Sequence, residues 1–304
     1  MTARMFCTKP EDMNSLSPHE PFAAALEILC PELQRVPLVF ASPHSGRDYP
    51  GAFLAQSGLD PVMLRRSEDS YVDELYAAAP ALGAPLLKAL FPRAYLDVNR
   101  EPYELDPAMF DEALPAYVKT DSPRVRAGLG TIARLVSSGA EIYNRKLSFA
   151  EAERRVRELY RPYHAALSDL VDKTRQRFGY CILVDCHSMP SPGASQPQGE
   201  GRVDFVLGDC FGSACHPDIT RTVDAALRHR GYRVLHNTPY AGGFTTRHYG
   251  KPHLGVHALQ IEVDRGLYMD EATHIRTPGF SSLRTDLTHL IAALAAFPAR
   301  DLLP

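Results

Sequence analysis

A layered α/β fold is what this sequence predicts, and three observations predict it. Apolar runs of strand length recur along the chain, stretches of helical period lie between them, and no internal repeat or composition break divides the 304 residues. Strands alternating with helices argue for a sheet covered by helices rather than a sandwich. The absence of a linker argues for a single domain over 1–304, with residues 1–35 as an N-terminal arm.

The elements follow in order. VPLVFAS (36–42) is a first strand that runs into Pro43 and His44. RRSEDSYVDELY (65–76) sets Glu68, Asp69, Asp73 and Glu74 before or within a short helix whose apolar face is Val72, Leu75 and Tyr76. PLLKALF (85–91) and AYLDV (94–98) read as further strands. SFAEAERRVRELY opens a helix on a capping box of Ser148 and Glu151, and Val156, Leu159, Tyr163, Leu167 and Leu170 carry its apolar stripe past Pro162, where a kink or a fresh helix fits. CILVDC (181–186) is the next strand, and the Pro-, Gly- and Ser-rich segment 190–202 after it is a loop, whose closure over a site the sequence leaves open. VDFVLGD (203–209), YRVLH (232–236) and VHALQIEV (256–263) are strands. HPDITRTVDAALRHRG (216–231) is an amphipathic helix closing on Gly231, and SSLRTDLTHLIAALAAF (281–297) is the C-terminal helix.

A formal net charge of −3 gives no basic surface for nucleic acid or an anionic membrane. The most apolar run, LIAALAAF (290–297), is far short of a spanning helix, and the N-terminus lacks the apolar region of a secretory signal, so a cytoplasmic protein is expected. Six irregularly spaced cysteines (7, 30, 181, 186, 210 and 215) do not make a disulfide scaffold, and reduced thiols are the expectation. Cys210 and Cys215 have no second pair to complete a zinc knuckle.

Two strands end in a histidine: VFASPHSG presents His44 and ILVDCHSMP presents His187. Either alone would more often be a hydrogen-bonded core residue. Two at matching strand ends, where open α/β sheets bind their ligands, point to metal ligation. Asp185 lies two residues from His187, hence on the same face, and is a candidate to orient its imidazole. A catalytic metal site wants a third protein ligand; Asp69 is the first choice, Glu68 the next, and Asp48 is also open. FPRAYLDVNREPYE adds Arg93, Asp97, Asn99 and Arg100, groups suited to a small anionic substrate. PYAGGFTTRHYGKPH brings two glycines, Arg247 and Tyr249 as further substrate contacts. Glu262, inside an otherwise apolar strand with Gln260 and Asp264 on its face, is the natural general base beside a metal-held water.

Together PHSG, EDSYVDELY, PRAYLDVNR, VDCHS, GGFTTRHYG and LQIEVDRGLYMDE, in this order, resemble the N-formylglutamate amidohydrolase family over residues 36 to about 297. The resemblance implies a three-layer α/β/α fold with a central mixed sheet, similar to zinc carboxypeptidases and aspartoacylase. It also implies zinc-dependent hydrolysis of N-formyl-L-glutamate to formate and L-glutamate, the last step of one route of histidine breakdown. On this resemblance His44, Asp69 and His187 are the zinc ligands, Glu262 the base, and Asn99 with Arg100 the carboxylate clamp. Arg93 is the oxyanion donor, while Arg247 and Tyr249 are further substrate contacts. One departure is visible: the carboxypeptidase relatives carry an HxxE, whereas the third residue after His44 is Arg47. Hydrolysis of another N-acyl amino acid or small peptide, and a non-catalytic metal-binding module, are the alternative readings. The histidine and carboxylate donors would also accept Co, Mn or Fe.

Overall fold

The computed structural model describes residues 22, 24–136, 138–191, 202–298 and 302. Most of the 190–202 loop, and so the question of its closure, lies outside these residues, as does the start of the N-terminal arm.

Seven strands form one mixed sheet: β1 (Leu26–Leu29), β2 (Leu38–Ser42), β3 (Leu86–Ala89), β4 (Cys181–Met189), β5 (Phe205–Gly208), β6 (Val234–His236) and β7 (Val256–Asp264). Their order is β1-β3-β2-β4-β7-β5-β6, with β1 antiparallel to β3, β5 antiparallel to β7, and the other pairs parallel. The arm expected over 1–35 therefore contributes an edge strand at Leu26–Leu29.

The central strands β4 and β7 are buried along their whole length, as parallel strands covered on both faces must be. Period-two alternation splits the core in two. Val39 and Ala41 of β2, Leu183 of β4 and Ala258 of β7 face one apolar layer, which includes Tyr163, Leu167 and Val171 of helix α6 (Arg161–Phe178). Leu38, Phe40, Ile182, Val184, Leu259 and Ile261 face the other, which includes Ile219 and Val223 of α7 (Pro217–His229) and Leu283, Leu287 and Leu290 of α9 (Gly279–Ala295). The result is a three-layer α/β/α arrangement. No helix among the described residues is long and apolar enough to cross a membrane.

The capping box at Ser148 and Glu151 is present at the start of α5 (Phe149–Arg155). At the interruption foreseen at Pro162, a five-residue π-turn over Val156–Tyr160 leads directly into α6, with the proline as the second residue of α6. Two expectations need correction. AYLDV (94–98) is not a strand: Pro92 starts a turn whose carbonyl accepts from the amides of Tyr95 and Leu96, and the apolar side chains enter the core without a ladder partner. Cys30 is disulfide-bonded, whereas Cys181, Cys186, Cys210 and Cys215 are free thiols. Cysteine spacing along the chain does not fix which thiols meet in space, so the sequence could not reveal it.

Candidate active site

Where the sheet faces run out of apolar residues, polar ones converge. On β4 the face that begins with Cys181 and Leu183 continues as Asp185 and His187; on β7 the corresponding face carries Ala258, Gln260 and Glu262. The register sets Asp185 beside Gln260 and His187 beside Glu262, so pairing of two strands delivers four polar groups to one spot. His44 arrives just past the end of β2. The Gly46 after it passes against the backbone just beyond β3, where a Cβ would lie 2.2 Å from the Phe91 carbonyl oxygen, which explains the glycine of PHSG.

Asp69 precedes α3 (Val72–Leu75), in a turn closed by Tyr71 in the left-handed region at φ 67°. Its amide donates to the His44 carbonyl at 3.0 Å, which ties the two loops together and brings the side chains side by side. His44 Nδ1 lies 3.4 Å and His187 Nδ1 3.2 Å from the same oxygen, Asp69 Oδ2. All three residues are at most 3% exposed, and one ligand atom from each falls within 4.8 Å of the others. His44 Nδ1 is buried and makes no hydrogen bond. Two imidazole nitrogens and a carboxylate oxygen around a shared point are a donor set fit to hold a metal ion.

The outer nitrogens are held too. His44 Nε2 bonds Asp97 Oδ1 at 2.7 Å. His187 Nε2 lies 3.0 Å from Asp185 Oδ1, near enough for an ion pair though off the line of a hydrogen bond, and 3.1 Å from the Asn99 amide nitrogen. With both Nδ1 atoms turned to the common point, a carboxylate stands at each Nε2, the arrangement that fixes tautomer and ring orientation in metal-binding histidines. The 92–99 turn supplies this support: Asp97 Oδ1 also accepts the Asn99 amide at 2.8 Å, and Oδ2 takes Arg93 at 2.7 Å. Fully buried Arg155 anchors the turn from below, donating to the Tyr95 carbonyl at 3.1 Å and lying 3.9 Å from the Tyr95 ring centre.

Charges in the cluster compensate one another. Burial pushes the Asp69 carboxyl up, but His187, His44 and Arg265 overcome it and hold its pKa well below the usual carboxylate range. Asp97 is likewise held low against burial by Arg100, Arg93 and His44. Glu262 behaves in the opposite way: burial raises it to about 7, with Asp69 adding to the rise while His187 and Arg93 oppose it. A carboxylate that exchanges its proton near neutrality is suited to take and return one.

These groups open on a cavity of about 510 Å³, lined by His44, Asp69, Arg93, Asn99, Arg100, His187 and Glu262, together with Asp97, Arg124, Tyr240, Gln260 and Arg265. Seven of the nine residues singled out in the sequence thus meet at one opening. The other two do not line it. Tyr249 is buried and bonds His164 Nδ1 at 3.0 Å, and Arg247, on α8 (Phe244–Tyr249), gives Nη1 to the Gly242 carbonyl at 3.0 Å. The rival acids point elsewhere: Glu68 is taken by Arg65 and Ser70, and Asp48 is exposed.

The double glycine serves the protein's own side chain. A Cβ on Gly243 would lie 2.2 Å from Asn99 Nδ2, so the glycine lets α8 approach until the Thr245 amide reaches Asn99 Oδ1 at 2.8 Å. Arg265, given no role from sequence, donates to Asp69 Oδ1 at 2.9 Å and to Ser188 Oγ at 3.1 Å. Its only signal was its place directly after the Glu262 strand. Asp97 stood in the quoted run but its histidine partner is 53 residues away, and Arg124 sits in a segment without any periodic pattern.

A family model described as N-formylglutamate amidohydrolase matches residues 36–269. N-formylglutamate deformylase of Pseudomonas putida is 30% identical over 241 residues, covering 78% of this chain and 83% of the relative; that of Pseudomonas aeruginosa is 31% identical, covering 81% and 86%. The crystal structure of N-formylglutamate amidohydrolase from Ralstonia eutropha JMP134 superposes with a TM-score of 0.84 at 40% identity, covering 90% of this chain and 97% of the other.

Proposed function

Because the chain belongs to the N-formylglutamate amidohydrolase family, we propose that it hydrolyses the formamide bond of N-formyl-L-glutamate, releasing formate and L-glutamate. The observation that carries the reading is the buried pair of Nδ1 atoms converging on Asp69 Oδ2, with Glu262 beside His187 in the sheet register. The physiological place that suits this reaction is the terminal deformylation of histidine breakdown.

In this reading His44, Asp69 and His187 hold a zinc ion. When bound, zinc lowers the pKa of a water toward ~7 and polarises the formyl oxygen. Glu262 accepts the proton of the attacking water. As the water oxygen bonds to the formyl carbon, Arg93 faces the oxygen that gathers negative charge. Glu262 then returns its proton to the nitrogen as the C–N bond breaks. Arg100 serves the α-carboxylate, while Asn99, whose side chain is taken by Asp185, His187 and the Thr245 amide, braces the site beside it. Arg100 Nε donates to the Leu129 carbonyl and Nη1 to the Asn99 carbonyl, which fixes the guanidinium while leaving further N–H groups for a ligand.

Purified enzyme reconstituted with zinc is expected to release formate from N-formyl-L-glutamate and to turn over the N-acetyl and peptidyl analogues far more slowly. Comparable rates on all three would overturn the formyl assignment. Asp97→Asn keeps the shape of the side chain but removes the charge facing His44 Nε2, and is expected to weaken metal affinity roughly 10- to 100-fold, read by competition with a chromophoric chelator.

A further inference from the structure

Four guanidinium groups line the cavity, and they are not equally occupied. Arg265 is spent on Asp69, Ser188 and the Arg66 carbonyl. Arg93 is bonded to Asp97, and Arg100 to two backbone carbonyls. The Arg124 guanidinium makes no hydrogen bond among the described residues; its carboxylate partner, Glu104 Oε2, stands 4.0 Å from Nη1, a loose ion pair that leaves the N–H fork open. Arg124 has a fixed base nonetheless. It belongs to the short helix α4 (Pro123–Arg126), capped by Ser122, whose hydroxyl also donates to the other Glu104 oxygen.

The wall around Arg124 is apolar. Leu129, Ala133 and Leu135, from the segment that follows α4, line the same cavity. A methylene stem ending in a carboxylate matches an apolar wall ending in a guanidinium. Positive charge is also crowded here: Arg100 is held down to about 10 by burial, against Asp97, with Arg93 and Arg124 adding to the fall, and Arg247 is lowered by burial and by Arg124. An anion bound among these groups relieves their repulsion.

We propose that Arg124 is the specificity-determining residue for the side-chain carboxylate of the substrate, so that the enzyme selects formyl amino acids with an acidic side chain over their neutral isosteres. This rests on the deformylase reading above and extends it to a residue outside the metal cluster.

The test compares formate release by wild type, Arg124→Gln and Arg124→Lys, all zinc-loaded, from N-formyl-L-glutamate and from N-formyl-L-glutamine. Arg124→Gln is expected to lose roughly 30- to 100-fold in kcat/KM on the glutamate substrate, mostly through KM. It should change less than about 3-fold on the glutamine substrate, as expected for a residue that makes no contact with the reacting amide. Arg124→Lys should recover part of the loss, having the charge without the fork. A parallel fall on both substrates, or unchanged selectivity, would overturn the assignment of Arg124 alone. A wild-type enzyme that releases formate from neither substrate would overturn the deformylase reading and this inference with it.

Discussion

Glu262→Gln is expected to lower kcat on N-formyl-L-glutamate by roughly 10²- to 10⁴-fold while the enzyme keeps its metal. Glu262 is 7% exposed and accepts a hydrogen bond from Gln260 Nε2 at 2.8 Å. A glutamine fills the same volume, and its carbonyl oxygen can accept the same bond, so the fold has no reason to change. What disappears is an oxygen that can bind a proton. The amide can neither take the proton of the attacking water nor return it to the departing nitrogen, and both halves of the reaction slow. Metal content is the discriminating control. A variant with full metal and wild-type kcat would remove Glu262 from the mechanism, and one that loses the metal would make Glu262 a ligand instead.

His187→Ala is expected to abolish stoichiometric metal binding and activity together. The substitution removes one of two nitrogen donors, a larger loss than the roughly 10- to 100-fold expected when only an outer carboxylate is changed. It also strips Asp69 of a hydrogen bond at 3.2 Å, leaving that carboxylate to Arg265 and to His44 Nδ1 at 3.4 Å. Asp185, buried and facing His187 Nε2, then keeps, among the described residues, the Asn99 side-chain amide as its one hydrogen-bond partner, at 3.3 Å. Elemental analysis after exhaustive dialysis reads the first effect and formate release the second. Retention of both would refute the proposed ligand set.

The two experiments probe different physics, and the sequence exposed them to different degrees. Period-two alternation already put Asp185 with His187, and Gln260 with Glu262, on common faces, because a strand leaves its side chains no other choice. The strand ends at His44 and His187 were visible as apolar runs breaking into polar residues. AYLDV misled for the same reason that the others informed: its residues favour strands, but propensity carries no information on whether a neighbouring strand is there to pair. Tyr249 and Arg247 were placed near a ligand because they follow two glycines, whereas the close approaches those glycines allow are to Asn99 at Gly243 and to Cys210 at Gly242.

By itself, then, the sequence determined what is local: strand faces, the capping box at Ser148, the polar strand ends and the inventory of donors. Which acid meets the histidines was beyond it, since Asp48, Glu68 and Asp69 are chemically similar and close in the chain. Tertiary structure decided that, through one backbone hydrogen bond from Asp69 to His44 and the turn after it, which aim a single carboxylate at both rings and turn Glu68 toward Arg65. The same holds for Asp97 against His44, Arg265 against Asp69 and Arg124 at the far wall. Each is a contact between segments that only the packed sheet brings together, and distance in space is not written in distance along the chain.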